Sequence, residues 1–298
     1  MRFDNQSALI SGAASGLGRA YALALAERGA KVMLMDCMPL EATEVQSLLQ
    51  ALETTGASYR YWSVDVGSPD AIEAWAAEFA AAGSGVDLLI NNAGVHTHSS
   101  FEHQSITDIR RQLQVDLLGS IALTHALWPG MMNRGYGRIV MSTGVSGLYG
   151  DLHQSAFACA KMALIGLVNG LAAEGLARNV MVNSLCPLAH TAMTDAHLAP
   201  QVKSLFSKEI VTAAMLFLLS GQAPGGRHLL AGGGSVSELC IAEHRYCYFE
   251  SELRTPEVIA AHWADIDNAW PIQKHANGED QIFAFAKRAA HEQGIRLD

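Results

Sequence analysis

The sequence predicts an α/β protein with a doubly wound parallel sheet of about seven strands and a helical C-terminal appendage. Three observations carry this. Short β-rich runs alternate with amphipathic stretches of ten or more residues. The runs are almost continuously apolar, as strands covered on both faces are. A glycine-rich turn joins the first run to the first amphipathic stretch, and alternation of this kind builds parallel sheets flanked by helices.

The strand-like runs are Ala8–Ser11, Val32–Asp36, Tyr59–Val64, Leu88–Asn91, Arg138–Ser142 and Val180–Leu185, with a last one at His228–Ala231 before the turn-forming Gly232, Gly233 and Gly234. Between them lie helical patterns at Gly18–Arg28, Pro69–Ala81, Ile106–Trp128 and Gln154–Gly175. After about Glu238 the composition shifts toward charge and aromatics. The expected division is therefore 1–240 for the sheet domain with its cleft and 241–298 for the extension. One tail helix starts at Thr255-Pro256-Glu257, with Thr as N-cap, Pro in the first turn and an early acid. A second spans roughly Asp280–Gln293. Two helices alone make a meagre core, so the extension is expected to pack on its own subunit or a neighbour.

Composition excludes several classes. Half of the 298 residues are hydrophobic and 16% are charged, enough for a sizeable core. A net charge of −9 with no basic run argues against nucleic-acid binding. The N-terminal residues run straight into a strand without an apolar leader, and the longest apolar helical stretch, Ile210–Leu219, is too short to cross a bilayer. A cytoplasmic protein without membrane association is the expectation. The five cysteines are scattered and lack CxxC spacing, so they read as small buried hydrophobes. The twelve histidines, including His96, His98 and His103, lack metal-ligand spacing, and no metal is expected.

The segment Ser11-Gly12-Ala-Ala-Ser15-Gly16-Leu17-Gly18 carries the chemistry. Its glycines permit a tight turn and bring backbone N–H groups close to a pyrophosphate, and a helix N-terminus adds partial positive charge. This is a Rossmann-type arrangement, although the spacing is G-x-x-x-G-x-G. Asp36 ends the second strand, where a carboxylate accepts ribose hydroxyls and repels a 2′-phosphate, so NAD is favoured over NADP. Arg19 offers a nearby cation that works against this preference. Asp65 and Val66 are placed to touch the adenine, and Asn92, Ala93 and Gly94 give a second close approach to the dinucleotide.

Together these residues resemble the short-chain dehydrogenase/reductase family over about residues 5–240. The segments Gly18–Gly29, Tyr136–Met141, Ser146–Gly150, Cys186-Pro-Leu-Ala189 and Thr255–Trp263 are similar to the hydroxyacyl-CoA dehydrogenase part of the type-2 multifunctional enzymes of β-oxidation. The resemblance adds Lys161, Pro187 and Thr191 to the cofactor contacts. It also implies a small-molecule substrate, with an acyl-CoA among the candidates, and a homodimer or homotetramer. That assembly would be built by the helices at 106–128 and 154–175, whose apolar faces carry Leu113, Leu117 and Ile121, and Ala163, Leu167 and Leu171. The same faces could instead pack on their own sheet.

The resemblance further implies hydride transfer assisted by a tyrosine, a lysine, a serine thirteen residues before the tyrosine, and an asparagine on the preceding long helix. Only Lys161 matches. Phe157 stands at the tyrosine position, Gly144 at the serine position and Asp116 at the asparagine position. The proton donor and the hydrogen bond to a developing alkoxide are both missing, each a kind of contribution worth roughly two to four orders of magnitude in rate. Tyr149 and His153 are the candidate substitutes. Ser142 and Ser146 share strand parity with Gly144 if the strand continues, and His96 and His190 are also placed to face the cofactor. Two functions therefore remain open: an NAD-dependent oxidoreductase acting on a secondary alcohol or ketone, such as a 3-hydroxyacyl thioester or a bulky alicyclic compound, and a catalytically silent NAD-binding partner subunit or sensor.

Overall fold

We describe a computed structural model of the chain covering residues 1–195, 199–267 and 269–296. The chain divides into two compact units, Met1–Leu239 and Cys240–Asp298.

The first unit is an eight-stranded sheet in the order β3-β2-β1-β4-β5-β6-β7-β8. Its strands are β1 (Ser7–Ser11), β2 (Lys31–Asp36), β3 (Tyr59–Ser63), β4 (Leu88–Asn91), β5 (Gly137–Ser142), β6 (Val180–Leu188), β7 (His228–Gly232) and β8 (Ser235–Leu239). All neighbours pair in parallel except β7 and β8. The order reverses between β1 and β4, which opens a crevice at their carboxyl ends.

Strand alternation sorts the side chains into two cores. Ala8, Ile10, Leu88, Ile90 and Val140 face one side, against Leu25 of α1 (Gly16–Ala26), Leu48 of α2 (Thr43–Glu53) and Met215 of α8 (Glu209–Leu219). Leu9, Leu89, Ile139 and Met141 face the other, against Trp75 of α3 (Pro69–Ala81), Leu123 of α5 (Ser120–Arg134) and Leu164 of α7 (Ser155–Gly175).

Several expectations need correction. The sheet has eight strands where about seven were expected. The eighth is polar and mostly exposed, so it carries no apolar signal. It returns through Gly233 and Gly234, both at positive φ, as a tight two-residue hairpin requires. The helix expected over Ile106–Trp128 is interrupted. α4 (Ile106–Leu113) passes into a π-helical turn at Gln114–Gly119 before α5 begins. That turn carries Asp116, and π-helical turns recur at functional sites. A long apolar helix, α7, exceeds Ile210–Leu219 and is by length and composition able to cross a bilayer, yet it buries Leu164, Ile165 and Val168 in this domain. Leu113, Leu117, Ile121, Ala163, Leu167 and Leu171 are half-buried, and Leu117, Leu167 and Leu171 pack on their own core. Of the cysteines only Cys186 is buried, and Cys37, Cys159 and Cys240 are exposed.

The second unit contains α9 (Pro256–Ala261), α10 (Trp263–Asp267) and α11 (Gly278–Glu292). Thr255 caps α9 by accepting the Val258 N–H at 3.3 Å, and Asn277 caps α11 through Asp280 N–H at 2.9 Å. Glu292 gathers Arg254 at 2.6 Å, the Ser251 N–H at 2.7 Å and the Tyr248 hydroxyl. Those donors hold its carboxyl down at about 2, with the tyrosine hydrogen bond contributing most.

Ile90 lies at the centre of the sheet with no exposure. Ile90→Ala is expected to lower unfolding free energy by about 2–5 kcal/mol in urea titration. A loss below ~1 kcal/mol would contradict the packing described here.

Candidate active site

A cleft of about 590 Å³ opens at the carboxyl ends of β1, β2, β4 and β5. That volume is within the usual range of about 300–1,000 Å³ for small-molecule sites.

Backbone geometry builds one wall. Gly12 and Gly16 sit at φ +62° and +56°, conformations costly for other residues. A Cβ on Gly18 would stand 1.9 Å from the Gly12 carbonyl oxygen, and one on Gly12 would stand 2.8 Å from Ala93 Cα. Asn92 Nδ2 donates to the carbonyls of Ser11 and Gly12 at 3.1 Å each. Ser11 Oγ accepts the N–H groups of Asn92 and Ala93 at 3.0 and 3.1 Å. The ends of β1 and β4 are thereby locked together. Ser11 and Gly18 support the loop from behind, whereas Gly12, Ser15, Gly16 and Leu17 line the cleft. Ser15 precedes α1 without its side chain capping the helix, leaving the N-terminal amides open to an anion.

At the far end Asp36 lines the cleft and accepts the Ala14 and Met38 N–H groups at 2.9 and 3.2 Å. Its carboxylate is fixed and faces the cavity. Arg19 instead reaches Ser47 at 3.2 Å and does not line the cleft. The cation at this end is Arg111, paired with Asp65 at 2.8 Å. Asp65 also accepts the Gly67 N–H, and Val66 lines the cleft beside it. Arg111 was missed by the sequence reading. It lies 46 residues from Asp65, and no local pattern marks the pairing.

At the inner end Lys161 is 6% exposed and Asp116 fully buried. Lys161 Nζ stands 3.0 Å from Asp116 Oδ2 and donates to the Ser142 carbonyl at 3.0 Å. Asp116 Oδ1 accepts the Val95 N–H at 2.9 Å. Phe157 presents its ring to Lys161, with Nζ 5.3 Å from the centroid. A Cβ on Gly144 would meet that ring at 3.0 Å, so a serine there would require the phenyl ring to shift by a few tenths of an ångström. The two departures from the tyrosine and serine pattern are thus in contact.

β5 ends at Ser142, and Gly144 instead precedes α6 (Val145–Tyr149), so strand parity does not extend to Ser146. All three still line the cleft. The Ser142 hydroxyl is buried there without a hydrogen-bond partner among the described residues, and the buried Thr143 hydroxyl lies beside the Cys186 thiol. Tyr149 is 74% exposed, and neither it nor His153 lines the cleft. Tyr149 is the last residue of α6, and His153 follows on an exposed segment. His190 pairs with Asp195 at 2.6 Å and does not line the cleft, whereas Pro187 and Thr191 do. Gly94 and His96 line it as well, as do Asp151 and Gln154, which the sequence reading missed.

A sequence profile described as short chain dehydrogenase matches residues 6–201. The chain belongs to the short chain dehydrogenase family. It is 32% identical over 286 residues to mouse peroxisomal multifunctional enzyme type 2, covering 89% of this chain and 37% of the mouse protein. It is 29% identical over 277 residues to peroxisomal multifunctional enzyme A of Dictyostelium discoideum, covering 90% and 61%. The chain therefore spans less than two-thirds of these relatives. The full-length peroxisomal multifunctional enzyme type 2 of Drosophila melanogaster shares the fold with a TM-score of 0.79 at 24% identity, over 98% of this chain and 50% of that one. Proteins of this family bind NAD or NADP.

The glycine loop fits a dinucleotide pyrophosphate, and a Cβ on Gly18 or Gly12 would strike the Gly12 carbonyl or Ala93 behind it and displace the loop. Gly18→Ala is expected to weaken NADH binding by about tenfold or more, or about 1.4 kcal/mol, in a fluorescence titration. Unchanged affinity would remove the loop from the cofactor site.

Proposed function

We propose that the chain is an NAD(H)-dependent oxidoreductase acting on a secondary alcohol or ketone. A 3-hydroxyacyl thioester and a bulky alicyclic compound are the substrate classes considered. The observation that carries the reading is the fixed Asp36 carboxylate at the end of β2, facing a cleft whose other end is the Lys161–Asp116 pair. NAD would supply hydride acceptance and donation there. The loop Gly12–Gly18 and the α1 N-terminus would hold its pyrophosphate, and Asp36 its adenosine ribose. Asp36 disfavours a 2′-phosphate by like charge, and Arg19 is drawn away toward Ser47. The buried Ser142 hydroxyl, unpartnered among the described residues, is available to hold a substrate oxygen in place of the absent serine. Similarity to the acetoacetyl-CoA reductase of Allochromatium vinosum, 30% identical over 190 residues, supports the thioester class. A homodimer or homotetramer is part of this reading, and the exposed Leu118 before α5 and Met162 of α7 support it.

Phe157 and Gly144 favour a second reading, a partner subunit or sensor that binds NAD without turnover. Turnover by the purified chain separates the two.

Titration with NADH and NADPH tests the cofactor assignment. NADH is expected to saturate below millimolar concentration and to bind about tenfold or more tighter than NADPH. Asp36→Ala should narrow that gap. Failure of NADH to bind at millimolar concentration would overturn the proposal.

A further inference from the structure

We propose that His96 is the catalytic acid–base of this cleft, with His98 and His153 carrying its proton to solvent; this rests on the oxidoreductase reading above. His96 lines the cleft directly after the Asn92-Ala93-Gly94 turn. Its ring stands edge-on to Phe157, with centroids 5.1 Å apart at 80°. It therefore adjoins the position where a tyrosine would have served. An imidazole gives and accepts a proton in the neutral range, which a phenyl ring cannot.

Two titratable cleft residues adjoin the Phe157 ring, His96 and Lys161, and Asp151 lines the cleft as well. Lys161 is held by Asp116 and by the Ser142 carbonyl. Tyr149 points to solvent. From His96 a graded row leads outward: His98 at 6.2 Å and then His153, 5.2 Å from His98, all as ring-centroid distances. His96 is half-buried, and His98 and His153 are exposed. These spacings suit a relay completed by single waters. The row is held by backbone. His153 sits at φ +65°, a conformation few non-glycine residues adopt, and its carbonyl accepts the Ser99 N–H at 3.0 Å. That bond ties the segment carrying His96 and His98 to the loop carrying His153.

In the oxidative direction the carbinol C–H bond breaks, and its electron pair leaves as hydride to nicotinamide C4. Bound NAD⁺ would supply the two-electron acceptor, so that the alcohol becomes the ketone. The O–H bond breaks as its proton passes to a His96 ring nitrogen and on to solvent water. Reduction runs each step in reverse.

The test follows NADH oxidation by the purified chain with acetoacetyl-CoA and with cyclohexanone. His96→Ala is expected to lower kcat by about 100-fold or more, while the NADH Kd stays within about twofold. Imidazole in the buffer should restore part of the lost rate. His98→Ala and His153→Ala should give smaller losses. In a separate NMR measurement without substrate, NADH should shift the His96 ring-proton resonance, assigned from the His96→Ala spectrum. Wild-type turnover retained in His96→Ala overturns the inference and leaves the oxidoreductase reading standing, as does an unmoved His96 resonance at saturating NADH. Saturable NADH binding without wild-type turnover of either probe overturns that reading, and this inference with it.

Discussion

A lysine ammonium and an aspartate carboxylate meet at 3.0 Å inside this protein, and the inner end of the cleft is organised around them. Burying either charge alone would cost several kcal/mol, so each holds its position because the other is there. The pair draws four segments together. α7 brings Lys161, the π-helical turn brings Asp116, the end of β5 offers the Ser142 carbonyl, and the segment after β4 donates the Val95 N–H. In the tyrosine-dependent arrangement of this family, the lysine acts on a phenolic oxygen. Here its charge is answered by a carboxylate, and the neighbouring ring is a phenyl that only covers it. Asp116 and Phe157 together therefore set the surroundings of the lysine.

The outer cleft depends on a different constraint, the space between β1 and β4. Gly12, Gly18 and Ala93 approach so closely that no side chain fits between them, and Asn92 and Ser11 fasten the approach with hydrogen bonds. This wall is made of backbone, so it does not depend on the residues of the catalytic positions. The groove formed by this wall is therefore independent of the side chains that stand at positions 144 and 157. The buried hydroxyls of Ser142 and Thr143 mark the region where the inner end remains polar despite Gly144.

Much of this was legible in the sequence because strand burial and glycine spacing are local signals. The positions of the strands up to β7, the glycine loop, Asp36 and the cap Thr255 follow from short-range patterns, whereas the spatial order of the strands and the cap Asn277 were not read from them. Features that depend on partners far along the chain were not legible. Arg111 reaches Asp65 across 46 positions, and Asp116 reaches Lys161 only because a π turn rotates it inward. β8 escaped notice because its exposed, polar residues resemble a loop. Tyr149 and His153 were selected because their segment lines the cleft in the family the chain resembles, but here α6 ends at Tyr149 and the residues after it are exposed. His96 lies far from that segment in sequence yet adjoins Phe157 in space.

A double-mutant cycle on Asp116→Ala and Lys161→Met, read by urea unfolding, tests the central pair most directly. The structure predicts that each single variant leaves a buried charge unanswered and loses about 3–5 kcal/mol. The double variant should then lose less than the sum by about 1–3 kcal/mol. Strictly additive losses would show that the two charges do not support each other, and would contradict this account of how the cleft is held.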